Sequence, residues 1–115
     1  MYQLKLHKNL TTEKWSVNPF YKKILMIGNE VNRLKNAIQN KQAEDEILSC
    51  VERALELTDL TISCETRKSF LRELLRWREL FGAYYLTKNI EREKLENLYS
   101  SLLLMSPEAF NMLAE

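Results

Sequence analysis

The stretch "NPFYKKILMIGNEVNRLKNAIQN", Asn18 to Asn40, decides the fold because its apolar residues recur at alternating spacings of four and three. Such spacing places them on one stripe of a helix, as in a helix that packs in a bundle. The stripe consists of Phe20, Ile24, Ile27, Val31, Leu34 and Ile38. Asn18 can cap this helix, and Pro19 suits its first position, where no backbone N–H is required.

Further amphipathic segments follow this helix along the chain. We expect a second helix from about Ala43, with acidic residues in its first turn, where they suit the helix dipole. It should end near the β-branched "LTIS". A third helix is expected to reach about Leu86, and a fourth follows "TKN" to about Leu104. A short fifth begins at "SPEAF", where Ser106 can cap and Pro107 can open the helix.

The connections between these segments are only a few residues long, which favours antiparallel neighbours. The sequence therefore predicts an all-α, up-down-up-down four-helix bundle with a short C-terminal fifth helix and an extended N-terminal arm. Phe110 and Leu113 would hold the fifth helix on the body. With 115 residues, two glycines, two prolines and no linker, the expected organisation is an arm, 1–17, followed by a single domain, 18–115.

The aromatic stretch "RWRELFGAYYL", Arg76 to Leu86, raises the question of a ligand pocket. Its large side chains continue one helical stripe, which favours core over pocket. The stripe comprises Phe70, Leu74, Trp77, Phe81 and Tyr84. Tyr85 falls at the edge of the stripe and is expected at the boundary with solvent, and Gly82 lies well off it, where another segment could approach closely.

Charge alternates in sign along the chain. Residues 1–41 carry eight Lys/Arg and two acids, 42–65 one and seven, 66–88 six and two, and 89–115 two and five, which sums to a net charge of +1. Neighbouring helices of opposite sign would pair inside the molecule. This arrangement argues against a large uniform basic face.

Composition indicates a globular chain outside the membrane. The hydrophobic fraction is 45%, and no apolar run approaches the ~20 residues that span a bilayer. Cys50 and Cys64 are too few for a disulfide framework. We therefore expect a cytoplasmic protein with no membrane partner and with reduced thiols.

The residues that usually carry catalysis or bind metals are scarce. His7 is the only histidine, and no zinc, phosphate-loop or nucleophile-elbow motif occurs. Glu30 and Glu73 lie at the edges of core stripes, but a di-iron bundle would require Glu-x-x-His pairs. Salt bridges to Lys23 or Arg78 are the better interpretation. The sequence predicts no enzyme, no cofactor and no metal.

The back of the first helix carries a second apolar face. Tyr21, Leu25 and Gly28 lie on successive turns away from the core stripe. Contiguous exposed apolar residues tend to mark contacts, and a glycine lets a partner backbone approach. We expect this strip to be covered by the arm, by another protein or by a second copy of the chain.

The arm itself alternates apolar and polar residues. Tyr2, Leu4 and Leu6 follow the period of two that indicates an extended segment. They are candidates for the same protein interface as the strip. Trp15 would pack against the first turns of the first helix.

A basic stripe on the third helix offers an alternative function. Lys68, Arg72 and Arg76 lie at helical spacing on one side, where they could contact nucleic-acid phosphates. Acidic residues interrupt the stripe. The favoured interpretation is a non-enzymatic protein-interaction module, as an adaptor or assembly protein that forms a homodimer, and the alternative is a nucleic-acid-associated accessory protein.

Overall fold

The computed structural model describes residues 10–87 and 91–114, and within these ranges the chain consists of helices joined by short turns, with no strand. The prediction of an all-α fold is confirmed. The helices are α1 (Thr12–Ser16), α2 (Phe20–Gln39), α3 (Glu44–Cys64), α4 (Lys68–Thr87), α5 (Arg92–Leu104) and α6 (Pro107–Ala114).

Helix α2 is the central element of the core. The middle of its predicted stripe, Ile24, Ile27, Val31 and Leu34, is fully buried, and the two ends are partly buried. Helix α2 packs against α3, α5 and α6. Because the stripe alone cannot contact three helices, residues on both sides of it are buried as well.

The four long helices make a closed series of contacts. Helix α2 packs against α3, α3 against α4, α4 against α5, and α5 returns to α2. Short turns at residues 40–43 and 65–67 join the first three of these helices. In the part of the chain described, no helix combines the length and apolar character needed to cross a membrane.

The start of α2 differs from the prediction by one residue. Pro19 is the N-cap, and its carbonyl accepts hydrogen bonds from the N–H groups of Lys22 and Lys23. The predicted cap, Asn18, instead donates through its side-chain amide to the carbonyl of Trp15 at 3.3 Å. Asn18 thus closes the turn after α1, and the cap assignment was wrong.

Residues 12–16, which the sequence assigns to an extended arm, form helix α1. Thr11 caps this helix by accepting from the N–H of Lys14 at 3.1 Å. Trp15 is fully buried, and its indole Nε1 donates to the hydroxyl of Thr61 on α3 at 2.9 Å. Helix α1 packs on α3, so Trp15 joins the core at the C-terminal end of α3.

Helix α3 begins as predicted and ends one residue beyond the "LTIS" stretch where the sequence predicts its end. Its first turn carries Glu44, Asp45 and Glu46, but the helix continues through "LTIS" to Cys64. The hydroxyl of Thr61 donates to the carbonyl of Leu57 at 2.8 Å while it accepts from the indole of α1. Tertiary packing here outweighs the modest helix propensity of β-branched residues.

The aromatic stripe of α4 is core, as predicted, at Leu74, Trp77 and Phe81, whereas Phe70 at its start is only partly buried. Phe81 is fully buried and Trp77 is 2% exposed. Their rings stack with centroids 4.9 Å apart. The side chains of Tyr84 and Tyr85 lie outside the described part of the chain.

The C-terminal helix α6 is capped as predicted. The hydroxyl of Ser106 accepts from the N–H of Ala109 at 3.3 Å. Ala109 is fully buried, whereas Phe110 is 41% exposed. The predicted anchoring by Phe110 was wrong because the helix turns a small residue toward α2 and α5, and the side chain of Leu113 lies outside the described part.

Candidate interaction site

The predicted strip on the back of α2 is covered in part by the chain itself. Gly28 is buried, and a Cβ atom at this position would lie 3.6 Å from the ring of Tyr99 and 3.7 Å from Leu103. Tyr21 and Leu25 are partly buried against the core. Helix α5 therefore occupies the place that a partner would take at Gly28.

Sequence reasoning could identify a second apolar face on α2 but not its occupant. Helix α5 also has a second face, with Tyr99 and Leu103 on one side of its core residues. The two faces meet because α5 packs back on α2. The remaining part of the predicted interface, Tyr2, Leu4 and Leu6, lies outside the described residues.

The structure exposes the basic stripe. Lys68, Arg72 and Arg76 are all exposed on α4. Within the described residues, none of the three makes an ion pair. Arg76 also borders a groove between α4 and α5, whereas Lys68 and Arg72 do not line it.

The salt bridges expected at the stripe edges are formed with other partners. Arg78 pairs with Asp59 of α3 through two contacts of 2.7 and 3.3 Å. Glu30 pairs with Arg33 on its own helix at 3.4 Å. The predicted pairing of Glu30 and Glu73 with Lys23 or Arg78 was wrong, since helical spacing does not reveal which neighbouring helix faces each edge.

A groove between α4 and α5 combines an open apolar surface with charged residues at its edge. It has a volume of about 310 Å³. Its lining residues are Glu73, Arg76, Trp77, Leu80, Leu98, Ser101 and Met105. Trp77 forms its base, where the indole Nε1 donates to the carbonyl of Leu98 at 2.8 Å.

The groove remains open because the side chains that line it are too small to fill the space between α4 and α5. Ser101 stands where a large apolar side chain would fill the space, and its hydroxyl donates to the carbonyl of Asn97 at 2.8 Å. Across the groove, Leu80 is 54% exposed. The groove can accept an apolar side chain beside Leu80.

Charge flanks the groove on the α4 side. Glu73 and Arg76 are both exposed and lie three residues apart, close enough to be neighbours on the helix surface. Within the described part of the chain neither of them makes an ion pair. Glu73 and Arg76 can therefore form ion pairs with a partner that carries a basic or an acidic residue at this edge.

A second crevice, of about 230 Å³, lies between the end of α2 and the start of α5. Six of its eight lining residues are polar or charged, including Asn32, Asn36 and the exposed pair Arg92–Glu96. Among the residues described, no group of three His, Cys, Asp or Glu side chains could hold a metal ion. Nothing in this crevice converges on a ligand.

The turn between α3 and α4 contains an ion pair between Glu65 and Arg67. Arg67 donates to the carboxylate of Glu65 at 2.9 and 3.1 Å, and this hydrogen bonding lowers the pKa of Glu65 and raises that of Arg67. The guanidinium also stacks over the rings of Phe20 and Phe70, at 4.9 and 4.1 Å from their centroids. The turn thereby joins α2 to α4.

Comparison of the chain with protein-family models, with curated proteins and with solved structures found no match.

Proposed function

We propose that the chain is a non-enzymatic cytoplasmic protein that acts by protein–protein contact, as a homodimer formed through the α4–α5 groove. In this proposal α2 to α5 are an up-down-up-down four-helix bundle, which the closed series of contacts supports. The observation that carries the proposal is an apolar groove with Trp77 at its base, a half-exposed Leu80, and two exposed charges that make no ion pair with any described residue.

The contact is proposed at the groove and not at the predicted strip on α2. At Gly28 that strip is occupied by Tyr99 and Leu103 of the same chain. Leu80, in contrast, exposes about half of its side chain beside an unfilled space. Contiguous apolar surface rimmed by polar residues is typical of interaction sites.

A second copy of the chain is the proposed occupant because the groove is complementary to itself in charge. In a two-fold interface the same patch contacts its own copy. Arg76 of one protomer can then face the partner's Glu73, and the reverse contact forms at the same time. Leu80 of each protomer would enter the groove of the other and contact Trp77.

Replacement of Leu80 by Asp tests this interface. A buried charge at the centre of the contact should weaken the dimer by at least about tenfold, or about 1.4 kcal/mol. Sedimentation equilibrium measures the dissociation constant, and circular dichroism measures whether the helices are retained. A wild-type chain that stays monomeric at high concentration would overturn the proposal.

The same helix provides a matched control. Leu75 is 48% exposed on α4 and does not line the groove, so Leu75→Asp should leave the dimer intact. Arg76→Glu should weaken the dimer by charge repulsion. The double variant Glu73→Arg with Arg76→Glu should restore it, since a two-fold interface recovers the opposite pairing. Equal loss in all four variants would contradict the groove as the contact.

We keep nucleic-acid binding as the alternative, because Lys68, Arg72 and Arg76 are exposed together without an ion pair among the described residues. Such binding would depend steeply on salt. Lys68→Glu with Arg72→Glu tests it without altering the groove. Loss of retention on DNA or RNA, with an unchanged dimer, would favour the alternative, and we expect no retention of the wild type at physiological salt.

A further inference from the structure

Helices α2 and α3 bring a lysine and a cysteine together beside the turn between α3 and α4. Lys23 lies in the first turn of α2, and Cys64 is the last residue of α3. The Nζ atom of Lys23 lies 3.4 Å from Sγ of Cys64. The residues are far apart in sequence, so this pair exists only through tertiary packing.

Lys23 is unusual because it is buried although its hydrogen-bond partner is a sulfur atom and not a carboxylate. Its residue surface is only 9% exposed, although lysine is rarely so buried unless it is paired. Its hydrogen bond within the described structure is to sulfur, which is a weak acceptor. The nearby carboxylate of Glu65 accepts hydrogen bonds from Arg67, both from its guanidinium and from its backbone. A buried amine is therefore directed at a thiol and not at an acid.

The sulfur is held in position for a reaction with this amine. The thiol of Cys64 lies 3.2 Å from the carbonyl of Leu60 and 3.6 Å from that of Thr61. Reacting atoms about 3–3.5 Å apart are near the distance at which an intramolecular reaction is strongly favoured. The separation of Nζ and Sγ falls within this range.

We propose that Lys23 and Cys64 form an oxidative modification site, at which a peroxide converts the contact into a covalent sulfenamide between Nζ and Sγ. In the first step sulfur attacks the peroxide, the O–O bond breaks, and hydrogen peroxide is reduced to water while the thiol is oxidised to a sulfenic acid. Two electrons pass from sulfur to the peroxide.

The second step joins the two residues without further oxidation. After the lysine ammonium gives one proton to solvent, the nitrogen lone pair attacks sulfur. The N–S bond forms and the S–O bond breaks. The hydroxide leaves with the second proton of the amine as water. Sulfenic acids are known to condense with a nitrogen in this way.

The second cysteine provides an internal contrast. Cys50 is buried, and burial is the main cause of its raised pKa, which disfavours the reactive thiolate. Cys64 is only partly buried, so we expect a small oxidant to reach its sulfur. Oxidation is therefore directed to Cys64, and the cross-link would tie the first turn of α2 to the end of α3, away from the groove.

Peptide mapping of the full chain after treatment with hydrogen peroxide tests the proposal. We expect a cross-linked pair of peptides that contains Lys23 and Cys64, is lighter by two hydrogen atoms than the separate peptides, and disappears on reduction with dithiothreitol. Peptide mapping of the wild type alone shows whether the cross-link forms, so the result does not depend on the folding of a variant. Cys64 oxidised to sulfinic acid with Lys23 unmodified, or Cys64 unreacted, would overturn the proposal.

Two variants test whether the cross-link requires the primary amine of Lys23, and not only its charge, and whether a disulfide is involved. Lys23→Arg keeps a cation but removes the primary amine, so it should form no cross-link and should accumulate a sulfenic acid that dimedone traps. Cys50→Ala should still form the cross-link, because this variant removes only the possibility of a disulfide between Cys50 and Cys64. Equal trapping by dimedone in the wild type and in Lys23→Arg would show that the amine does not intercept the sulfenic acid.

Discussion

The side of α4 that faces α3 and the side that faces α5 differ in how completely the neighbouring helix covers them. Toward α3, Arg78 makes two contacts with Asp59, and Gly82 lies beside Leu55. Toward α5, Glu73 and Arg76 have no ion-pair partner within the described part of the chain, and the groove beside them is unfilled. The α3 flank is closed by matched residues and the α5 flank is not.

The difference shows that core and contact surface can share one helix. Trp77 packs on Phe81 in the core and also forms the base of the groove. A helix presents its side chains around its full circumference, so each flank is closed only if the neighbouring helix supplies the matching residue. The α5 flank has Ser101 at that place, which leaves space for a partner.

The largest expected effect is at Trp77, which belongs to both the core and the groove. Trp77→Ala should lower the free energy of unfolding by roughly 3–5 kcal/mol, as large-to-small core changes do. Urea denaturation measures the loss. Trp77→Phe, which keeps a ring and loses the hydrogen bond to the carbonyl of Leu98, should lose much less. A loss below about 1 kcal/mol for alanine would make Trp77 a surface residue.

On the closed flank, Asp59→Ala removes the ion pair that Arg78 makes from α4 to α3. The pair is partly exposed, so we expect a loss of about 1 kcal/mol in the free energy of unfolding. Glu96→Ala, which breaks a more exposed pair within α5, should change it by less than about 0.5 kcal/mol. If the two variants lost similar amounts of free energy of unfolding, the pair of Arg78 and Asp59 would be no different from an ordinary surface ion pair.

Gly82 tests whether the closed flank needs a glycine for close approach. A Cβ there would lie 3.5 Å from a guanidinium nitrogen of Arg78 and 4.0 Å from Leu55, which are ordinary contacts. Gly82→Ala should therefore raise the free energy of unfolding by about 0.5–1 kcal/mol through helix propensity. A rise in the thermal midpoint checks this, and a fall would show that the two helices must approach more closely.

The smallest expected effect is at the turn that joins the helices of the closed flank. Hydrogen bonds from Arg67 hold the pKa of Glu65 below its ordinary value of 4.5. The pair therefore stabilises the fold above about pH 4.5, and this stabilisation is lost as the pH falls through the lowered pKa. Arg67 is half exposed, so Glu65→Gln should cost less than about 1 kcal/mol at pH 7.

Thermal unfolding of the wild type and Glu65→Gln at several pH values checks the sign. The difference between them should shrink as the pH falls below about 4.5, since the wild-type carboxylate is then increasingly protonated. A difference that grows at low pH would contradict the assigned direction.

Much of the helical framework could be predicted because its signals are local. The buried stripe from Ile24 to Leu34 and the Ser106 cap of α6 depend on residues three or four positions apart. The helix at Thr12–Ser16 was missed. Its Trp15 bonds to Thr61, a contact between residues 46 positions apart that local spacing does not reveal.

The candidate site was predicted less well than the framework. The exposed basic residues Lys68, Arg72 and Arg76 follow from their place off the core stripe. The groove does not, because it depends on Ser101 facing Leu80 across two helices. The weak available signal was a leucine, Leu80, outside the stripe of α4 and a serine among the leucines of α5.

The sequence by itself determined that the described part of the chain is helical, which stripes of α2 and α4 form most of their buried faces, and where most helices begin. These properties follow from short-range spacing and capping, which act within one or two turns. Only the tertiary structure decided that α5 covers Gly28, that Lys23 meets Cys64, and that one flank of α4 remains open. The physical reason is that each of these outcomes is a contact between helices, and the period of a helix does not specify the residue that its neighbour places opposite.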